Sequence, residues 1–321
     1  MKKSILNISL LCIVFFGFTK VNAQQQTRYS QFMWNEFAIN PAYTGGLNYN
    51  PIQLSYRKQW QGFSGSPETF TFGGHSAINS KMGLGGMVFK DNLGGAISQT
   101  GLMVNYAYHL KLNDNSRLSF GIGAIVNQFA FNNNKINALD VTDPSFQGGV
   151  QKNTTFDASF GLLYKYKDKL KIGFSSLQLI QSKLTSLNTV PGSSSRLIRH
   201  YNMQLSYNFL INEKLSLEPA LLLKATEVTP VQADLNLKAW YNKLIMLGVS
   251  YRHKDAIIAL IGAKYKNMFL GYSYDISTSK IKTYNTGSHE IVLGYHFISK
   301  EKSKSANPLF YSQKPRGNNF F

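Results

Sequence analysis

Residues 99–112 constrain the fold more than any other stretch, because their side chains alternate in character. One set of alternate positions is uniformly apolar: Leu102, Val104, Tyr106, Tyr108, Leu110 and Leu112. The positions between them include Gly101, Asn105, His109 and Lys111. A period of two over this length predicts a β-strand with one apolar face and one polar face.

The same pattern recurs along the chain in fourteen candidate strands. They span residues 52–60, 68–79, 82–91, 99–112, 116–131, 154–167, 170–178, 199–212, 215–226, 231–242, 244–254, 256–266, 267–276 and 288–299. Strands of about ten residues with an apolar outer face and a polar inner face are typical of transmembrane barrels. No stretch after residue 23 supplies the roughly 18 uninterrupted apolar residues of a membrane helix. The sequence therefore predicts an all-β protein, a transmembrane antiparallel up-and-down β-barrel of about fourteen strands.

The predicted connections differ in length on the two sides of this barrel. Links after even-numbered strands are tight, as at residues 79–81, 113–115 and 167–169, whereas links after odd-numbered strands are mostly longer, as at 132–153 and 179–198. Outer-membrane barrels have short periplasmic turns and long external loops. An even number of strands then predicts that the N- and C-termini are both periplasmic.

Composition and charge agree with a membrane barrel. The chain has 18 Tyr, 22 Phe and 26 Gly but only 16% charged residues, below the quarter that is usual in soluble domains. The formal net charge is +18. Because the basic residues fall mostly in turns, loops and the tail, the expected anionic partner is outer-membrane lipid or an acidic protein, and no nucleic acid is expected.

The ends of the chain differ from the barrel in composition. Residues 1–23 have a basic start, an apolar run and a small-residue ending, which predict a secretory signal peptide. The single cysteine, Cys12, lies inside this run, so the mature chain would contain no thiol. Residues 24–51 are predicted to be a periplasmic or plug-like segment, 52–299 the barrel, and 300–321 a basic tail that is either disordered or a docking arm.

Two groups of residues are candidates for a functional site. The aromatic segment before the first strand could fill the barrel, contact a partner, or simply lead into strand one; its candidate residues are Tyr29, Phe32, Trp34, Asn35, Asn40, Pro41 and Tyr43. The second group lies on the polar faces of the strands and would line the lumen: Arg57, Asp234, Lys238, Arg252, Asp275 and Glu290. Charges of both signs suggest salt bridges across the lumen or an occupied lumen, and equally these charges could merely satisfy one another.

No catalytic chemistry is predicted. The six histidines lack the ligand spacing of a metal site, and the glycine-rich stretches at 83–86 and 121–123 lie within strands with no helix after them. Asp140 and Asp143 could bind calcium, but a turn explains them better. We therefore expect no cofactor, no metal site and no enzyme activity.

Several segments resemble the PorP/SprF family of outer-membrane proteins of the type IX secretion system. The resemblance is carried by YSQFMWNEFAINPAYTGG at 29–46, YRKQWQGFSGSPETFTFGGHS at 56–76 and GLGGMVFKDNLGGAISQTGLMVNYAYHLKL at 83–112. It continues in LSFGIGAIVNQF, in residues 217–262, and in GYSYDISTSKIKTYNTGSHEIVLGYHF at 271–297. The tail after residue 299 departs from the family pattern, which tends to finish near the last strand.

The resemblance implies an outer-membrane barrel that serves secretion. Its partners would be the C-terminal domain of a large secreted surface protein, such as an adhesin used in gliding, or periplasmic lipoproteins of the secretion machine. The sequence leaves both open. The polar lumen faces leave a further alternative, an outer-membrane diffusion channel for small solutes.

Overall fold

A computed structural model describes residues 29–62, 64–135, 149–184 and 195–297. Within these residues fourteen β-strands form one antiparallel sheet. In chain order they are β1 (Asn50–Lys58), β2 (Glu68–Ala77), β3 (Met82–Asn92), β4 (Ile97–Lys111), β5 (Ser116–Asn132), β6 (Val150–Tyr166), β7 (Leu170–Leu177), β8 (His200–Tyr207, continuing as Phe209–Leu210), β9 (Leu215–Thr226), β10 (Gln232–Tyr241), β11 (Ile245–Arg252), β12 (Ala256–Tyr265), β13 (Met268–Ser277) and β14 (Ser288–Phe297).

The sheet closes on itself. Each strand pairs with its neighbours in sequence, and β14 returns to pair with β1 from Asn50↔Phe297 to Lys58↔His289. The predicted up-and-down barrel of fourteen strands is confirmed. No helix in the described part of the chain is long and apolar enough to cross a membrane.

The eighth strand is interrupted at Asn208, where the sequence predicted a continuous strand over 199–212. Pairing with β9 keeps the same register on both sides of the interruption, from Ala220↔Ser206 to Leu217↔Phe209. This register places Pro219 opposite Tyr207. Proline has no amide hydrogen to donate to the ladder, which accounts for the break.

The faces of the strands follow the period of two. In β4, Leu102 and Val104 are exposed on the outside, whereas Asn105 and His109 are buried within the barrel. In β14 the exposed residues are Ile291, Leu293, Tyr295 and Phe297. An exposed apolar surface around a polar interior reverses the arrangement of a soluble protein and suits a wall that faces lipid.

The connections divide the barrel into two ends. The links at 78–81, 112–115, 167–169, 211–214, 242–244 and 266–267 lie at one end, which we name the short-turn end. The links after β1, β3, β5, β7, β9, β11 and β13 leave from strand ends at the other end, which we name the long-loop end. Lys167 and Asp168 both have a φ of 50°, and Asn242 and Lys243 have φ values of 50° and 58°. Tight hairpin turns require such positive φ angles.

Residues 29–46, which we name the lumen segment, lie inside the barrel. Short helical turns form at Phe32–Trp34, Glu36–Ile39 and Pro41–Tyr43. The third begins favourably, because Pro41 occupies its first turn and Asn40 Oδ1 accepts a hydrogen bond of 2.9 Å from the amide of Ala42. The lumen segment packs with inward-facing residues such as Met87, Met103, Leu163 and Leu222 into one buried core.

The lumen segment starts at the long-loop end and finishes at the short-turn end, where β1 begins. The last described residue, Phe297, also lies at the short-turn end. The prediction that both termini are periplasmic concerns residues before 29 and after 297, which lie outside the described residues. The predicted signal peptide, the basic tail and the Asp140 and Asp143 turn also lie outside them.

Glycine in the barrel wall makes room for the lumen segment, which leads to a first prediction. A Cβ at Gly121 would overlap the backbone of Pro41 and Ala42. Gly121→Ala should therefore lower the free energy of unfolding by about 1–3 kcal/mol, the usual cost of overpacking. Urea unfolding in detergent micelles measures it.

The matched control is Gly86→Ala. Gly86 pairs with the outward-facing Val104, and a Cβ there would meet only the Met103 carbonyl oxygen, at 3.5 Å. The control should leave stability unchanged. Equal effects of the two substitutions would contradict a lumen segment packed against Gly121.

Candidate functional site

Five buried charged residues form a network of ion pairs near the long-loop end. Arg57 Nη2 lies 2.8 Å from Asp275 Oδ2, and Arg57 Nη1 lies 3.2 Å from Glu290 Oε2. Arg252 Nε lies 3.3 Å from Asp234 Oδ1, and Arg252 Nη1 lies 3.4 Å from Asp275 Oδ2. None of the five residues is more than 2% exposed. We name them the ionic cluster; they come from β1, β10, β11, β13 and β14.

The start of the lumen segment is held by this ionic cluster. The Ser30 amide donates to Glu290 Oε2 at 2.7 Å, and Ser30 Oγ donates to Asp275 Oδ2 at 2.6 Å. Arg57 Nη1 in turn donates to Ser30 Oγ at 2.7 Å. The Gln31 amide donates to Glu290 Oε1 at 3.2 Å. Buried charges need such additional hydrogen bonds to offset their lost hydration, so the segment and the cluster stabilise each other.

Two histidines of the barrel wall hold the other end of the lumen segment. The Gly45 amide donates to His75 Nδ1 at 3.0 Å. His109 Nε2 lies 3.0 Å from the carbonyl oxygen of Thr44, and its Nδ1 lies 2.8 Å from Ser119 Oγ. A carbonyl oxygen only accepts, so Nε2 carries the proton of a neutral His109. The short-turn end of the segment is therefore fixed as specifically as its start.

Hydrogen bonds also connect the middle of the lumen segment to the barrel wall. Asn105 Nδ2 donates to the carbonyl oxygen of Phe37 at 3.1 Å, and Ser175 Oγ donates to that of Ile39 at 2.6 Å. Asn40 Nδ2 donates outward to carbonyl oxygens on β6 and β7 at 3.1 and 3.2 Å. Short irregular helices leave backbone carbonyls unpaired, and the inward-facing side chains supply the missing donors.

Lys238 lies apart from the ionic cluster, in a second group toward the short-turn end. Its Nζ is 3.2 Å from Glu218 Oε2 and 5.8 Å from the centre of the Trp34 ring. Trp34 also packs on Phe269, with ring centres 3.7 Å apart, and meets Trp240 edge to face at 5.3 Å. The aromatic ring is thus enclosed by wall residues.

The structure places all of the candidate residues inside the barrel. Of the lumen-segment candidates, Tyr29, Phe32, Asn35, Asn40, Pro41 and Tyr43 are buried and Trp34 is partly buried. Five of the six predicted lining charges meet in the ionic cluster, and the sixth is Lys238.

Sequence reasoning missed several residues that connect the segment to the wall. They are Ser30, Gln31, Glu36, Gln53, His75, Ser175 and Lys171. Gln53 and His75 fall on polar strand faces, so the period of two could have included them. Ser30, Gln31 and Glu36 lie in an irregular segment, where no periodicity marks a contact.

The ionic cluster provides a second prediction. Arg57→Met leaves Asp275 without its 2.8 Å partner and removes the Glu290 contact. Breaking one side of a buried pair should lower the free energy of unfolding by about 3–5 kcal/mol. Thermal and urea unfolding of the purified barrel measure it.

Its matched control is the adjacent Lys58→Met. Lys58 pairs with Glu68 at 2.7 Å, but both side chains are more than a third exposed. Exposed pairs contribute about 0–1 kcal/mol, so this variant should unfold almost as the wild type does. If the ionic cluster contributed nothing to stability, Arg57→Met and Lys58→Met would have the same free energy of unfolding.

Comparison with solved structures finds matches of low sequence identity. The chain has 12% identity and a TM-score of 0.49 with a FadL homologue of Pseudomonas aeruginosa, over 80% of this chain and 93% of that one. With the Pseudomonas putida toluene transporter TodX the identity is 9% and the TM-score 0.47, over 83% and 94%. These values are too low to support a shared function.

No curated protein sequence matches the chain. A family model does match, over residues 21–295, and its description is "Type IX secretion system membrane protein PorP/SprF". The match covers every described strand except the last two residues of β14. It is the model of a secretion-system membrane barrel and not of an enzyme family. The chain therefore belongs to the PorP/SprF family of type IX secretion system membrane proteins.

Proposed function

We propose that this barrel is a non-catalytic outer-membrane component of the type IX secretion system that holds a large secreted protein at the cell surface. The family match supports a role in secretion. The observation that carries the proposal further is the lumen segment, which is bonded to the ionic cluster at one end and to His75 and His109 at the other. A barrel filled by its own chain suits a docking component.

In this proposal the lumen segment is a permanent plug. It contacts the walls on opposite sides of the barrel, through Ser30 to β13 and β14 and through Asn40 to β6 and β7. Removing it would leave several buried charges and carbonyl groups without partners, which is costly. The long-loop end would face outward, as in other outer-membrane barrels, and would meet the secreted protein.

The plug distinguishes this proposal from a diffusion channel. The purified mature protein should give no steady conductance in planar lipid bilayers, because the lumen segment blocks the passage. Deletion of residues 29–46 should open a conducting pore. The control is the gel mobility of each protein before and after heating, which reports a folded barrel. Steady conductance of the wild type would favour the channel.

Surface anchoring is tested in cells. A tag in the link between β5 and β6 should recover one large secreted protein in stoichiometric amount from outer membranes in mild detergent, as identified by mass spectrometry. A deletion strain should lose that protein from the cell surface while other secreted proteins remain. Recovery of only periplasmic lipoproteins and secretion-machine subunits would instead assign the barrel to the core machine.

A further inference from the structure

The lumen contains a cavity of about 510 Å³ whose lining runs from Thr69 on β2 to His200 on β8. We name it the outer cavity. Inward-facing apolar residues of β3, β4, β5 and β7 form much of its wall: Met87, Phe89, Met103, Ile125, Phe129 and Leu177. Polar residues complete the wall: Thr69, Asp91, Gln99, Ser159 and His200. Many inward-facing positions elsewhere in this lumen carry polar or charged side chains, so a cavity with this much apolar lining is a separate feature of the lumen.

The lumen segment closes one end of the outer cavity. Tyr29 and Ala38 contribute to its lining, and both are buried. Burial raises the pKa of the Tyr29 hydroxyl well above its ordinary value, with smaller contributions from Asp91 and Glu290, so Tyr29 stays neutral. Residues of the links after β1, β3 and β7, such as Trp60 and Leu93, border the cavity toward the long-loop end. A ligand must therefore reach it from that end.

One polar side chain that lines the outer cavity lacks a hydrogen-bond partner. Asn127 is fully buried and lines the cavity, and neither its Nδ2 nor its Oδ1 has a hydrogen-bond partner among the described residues. Its position depends on Gly101 of the neighbouring strand, where a Cβ would overlap both Asn127 and Phe89. Buried amides are normally paired, so an unpaired one beside a cavity can pair with a polar group that enters the cavity.

We propose that the outer cavity binds an apolar peptide segment of the secreted protein, with the Asn127 carboxamide pairing with one of its peptide units. A carboxamide presents one acceptor and two donors, which complements the N–H and C=O of a peptide unit. The apolar wall of the cavity contacts the peptide's side chains on either side of that peptide unit. An apolar solute would fill the same cavity but would leave Nδ2 and Oδ1 of Asn127 without hydrogen-bond partners.

The size of the outer cavity agrees with this ligand. Its volume falls within the roughly 300–1,000 Å³ of ligand pockets that combine an apolar lining with a few polar groups. Two or three bulky side chains fit such a space, and a folded domain does not. This inference rests on the proposed function, because it takes the bound peptide to be part of the anchored protein.

The first test uses a peptide and needs no knowledge of the secreted protein. The full mature protein in lipid nanodiscs is titrated with the capped peptide acetyl-Gly-Leu-Phe-Leu-Gly-amide by calorimetry. We expect saturable one-to-one binding. Met103→Trp fills the cavity and Asn127→Leu removes its amide at similar volume, so each should weaken binding about tenfold or more.

Two control variants match these changes outside the cavity. Val104→Trp places the same bulk one residue along β4, on the lipid face. Asn236→Leu removes another buried lumen carboxamide that also lacks partners within the described chain but lies outside the cavity lining. Both should bind the peptide as the wild type does. The proposal would be overturned if the peptide showed no saturable binding to the wild type. It would also be overturned if the control variants lost as much peptide affinity as Met103→Trp and Asn127→Leu.

The second test separates this inference from the proposed function. The four variants are expressed in cells, and the surface protein recovered with each barrel is quantified. We expect Met103→Trp and Asn127→Leu to recover at least about fivefold less than the controls do. Equal recovery from all four would overturn the outer cavity as the docking site while leaving surface anchoring intact. Peptide binding without any recovered surface protein would overturn the anchoring and, with it, the identity of the ligand.

Discussion

The pairing between the lumen segment and the inward-facing polar side chains is the interaction on which the rest of this structure depends. A barrel of about eight strands can be filled by its own side chains, whereas porins of about 16–18 strands enclose a water channel. Fourteen strands leave room that the wall cannot fill alone. Residues 29–46 occupy part of that room, and their amides, carbonyls and the Ser30 hydroxyl satisfy polar groups that would otherwise require water.

The ionic cluster illustrates how the segment and the barrel stabilise each other. Arg57 reaches it from β1, and Asp275 and Glu290 reach it from β13 and β14, so the cluster is complete only when the barrel has closed. Ser30 then forms hydrogen bonds with four of its five members, Arg57, Arg252, Asp275 and Glu290. Each buried charge is costly alone and tolerable in the network, which makes the closed, filled barrel the stable arrangement.

The two halves of the lumen have different chemistry. Charged residues on β1, β11, β13 and β14 bind the start of the lumen segment, whereas apolar residues on β3, β4, β5 and β7 line much of a cavity beside it. The half that binds the segment pairs its buried charges with one another. The half that leaves a cavity contains the unpaired Asn127, and it is the part of the lumen that supports an external ligand.

Much of the fold was predictable because the information in a strand is local. Alternation in residues 99–112 identified β4 and both of its faces, and the same rule identified strands at all fourteen positions. The interruption of β8 was not predicted, because it depends on Pro219 in β9 lying opposite Tyr207. The period of two also assigned the six candidate charges to polar faces, but it did not indicate that Lys238 would pair apart from the other five.

The sequence by itself therefore determined the strands, their two faces, the length of the turns and the family. Only the tertiary structure decided which charges meet, where the lumen segment lies and that Asn127 borders a cavity. The physical reason is the range of the interactions. Alternation reports whether each residue faces lipid or the interior, whereas an ion pair such as Arg57 with Glu290 joins residues that become neighbours only through barrel closure.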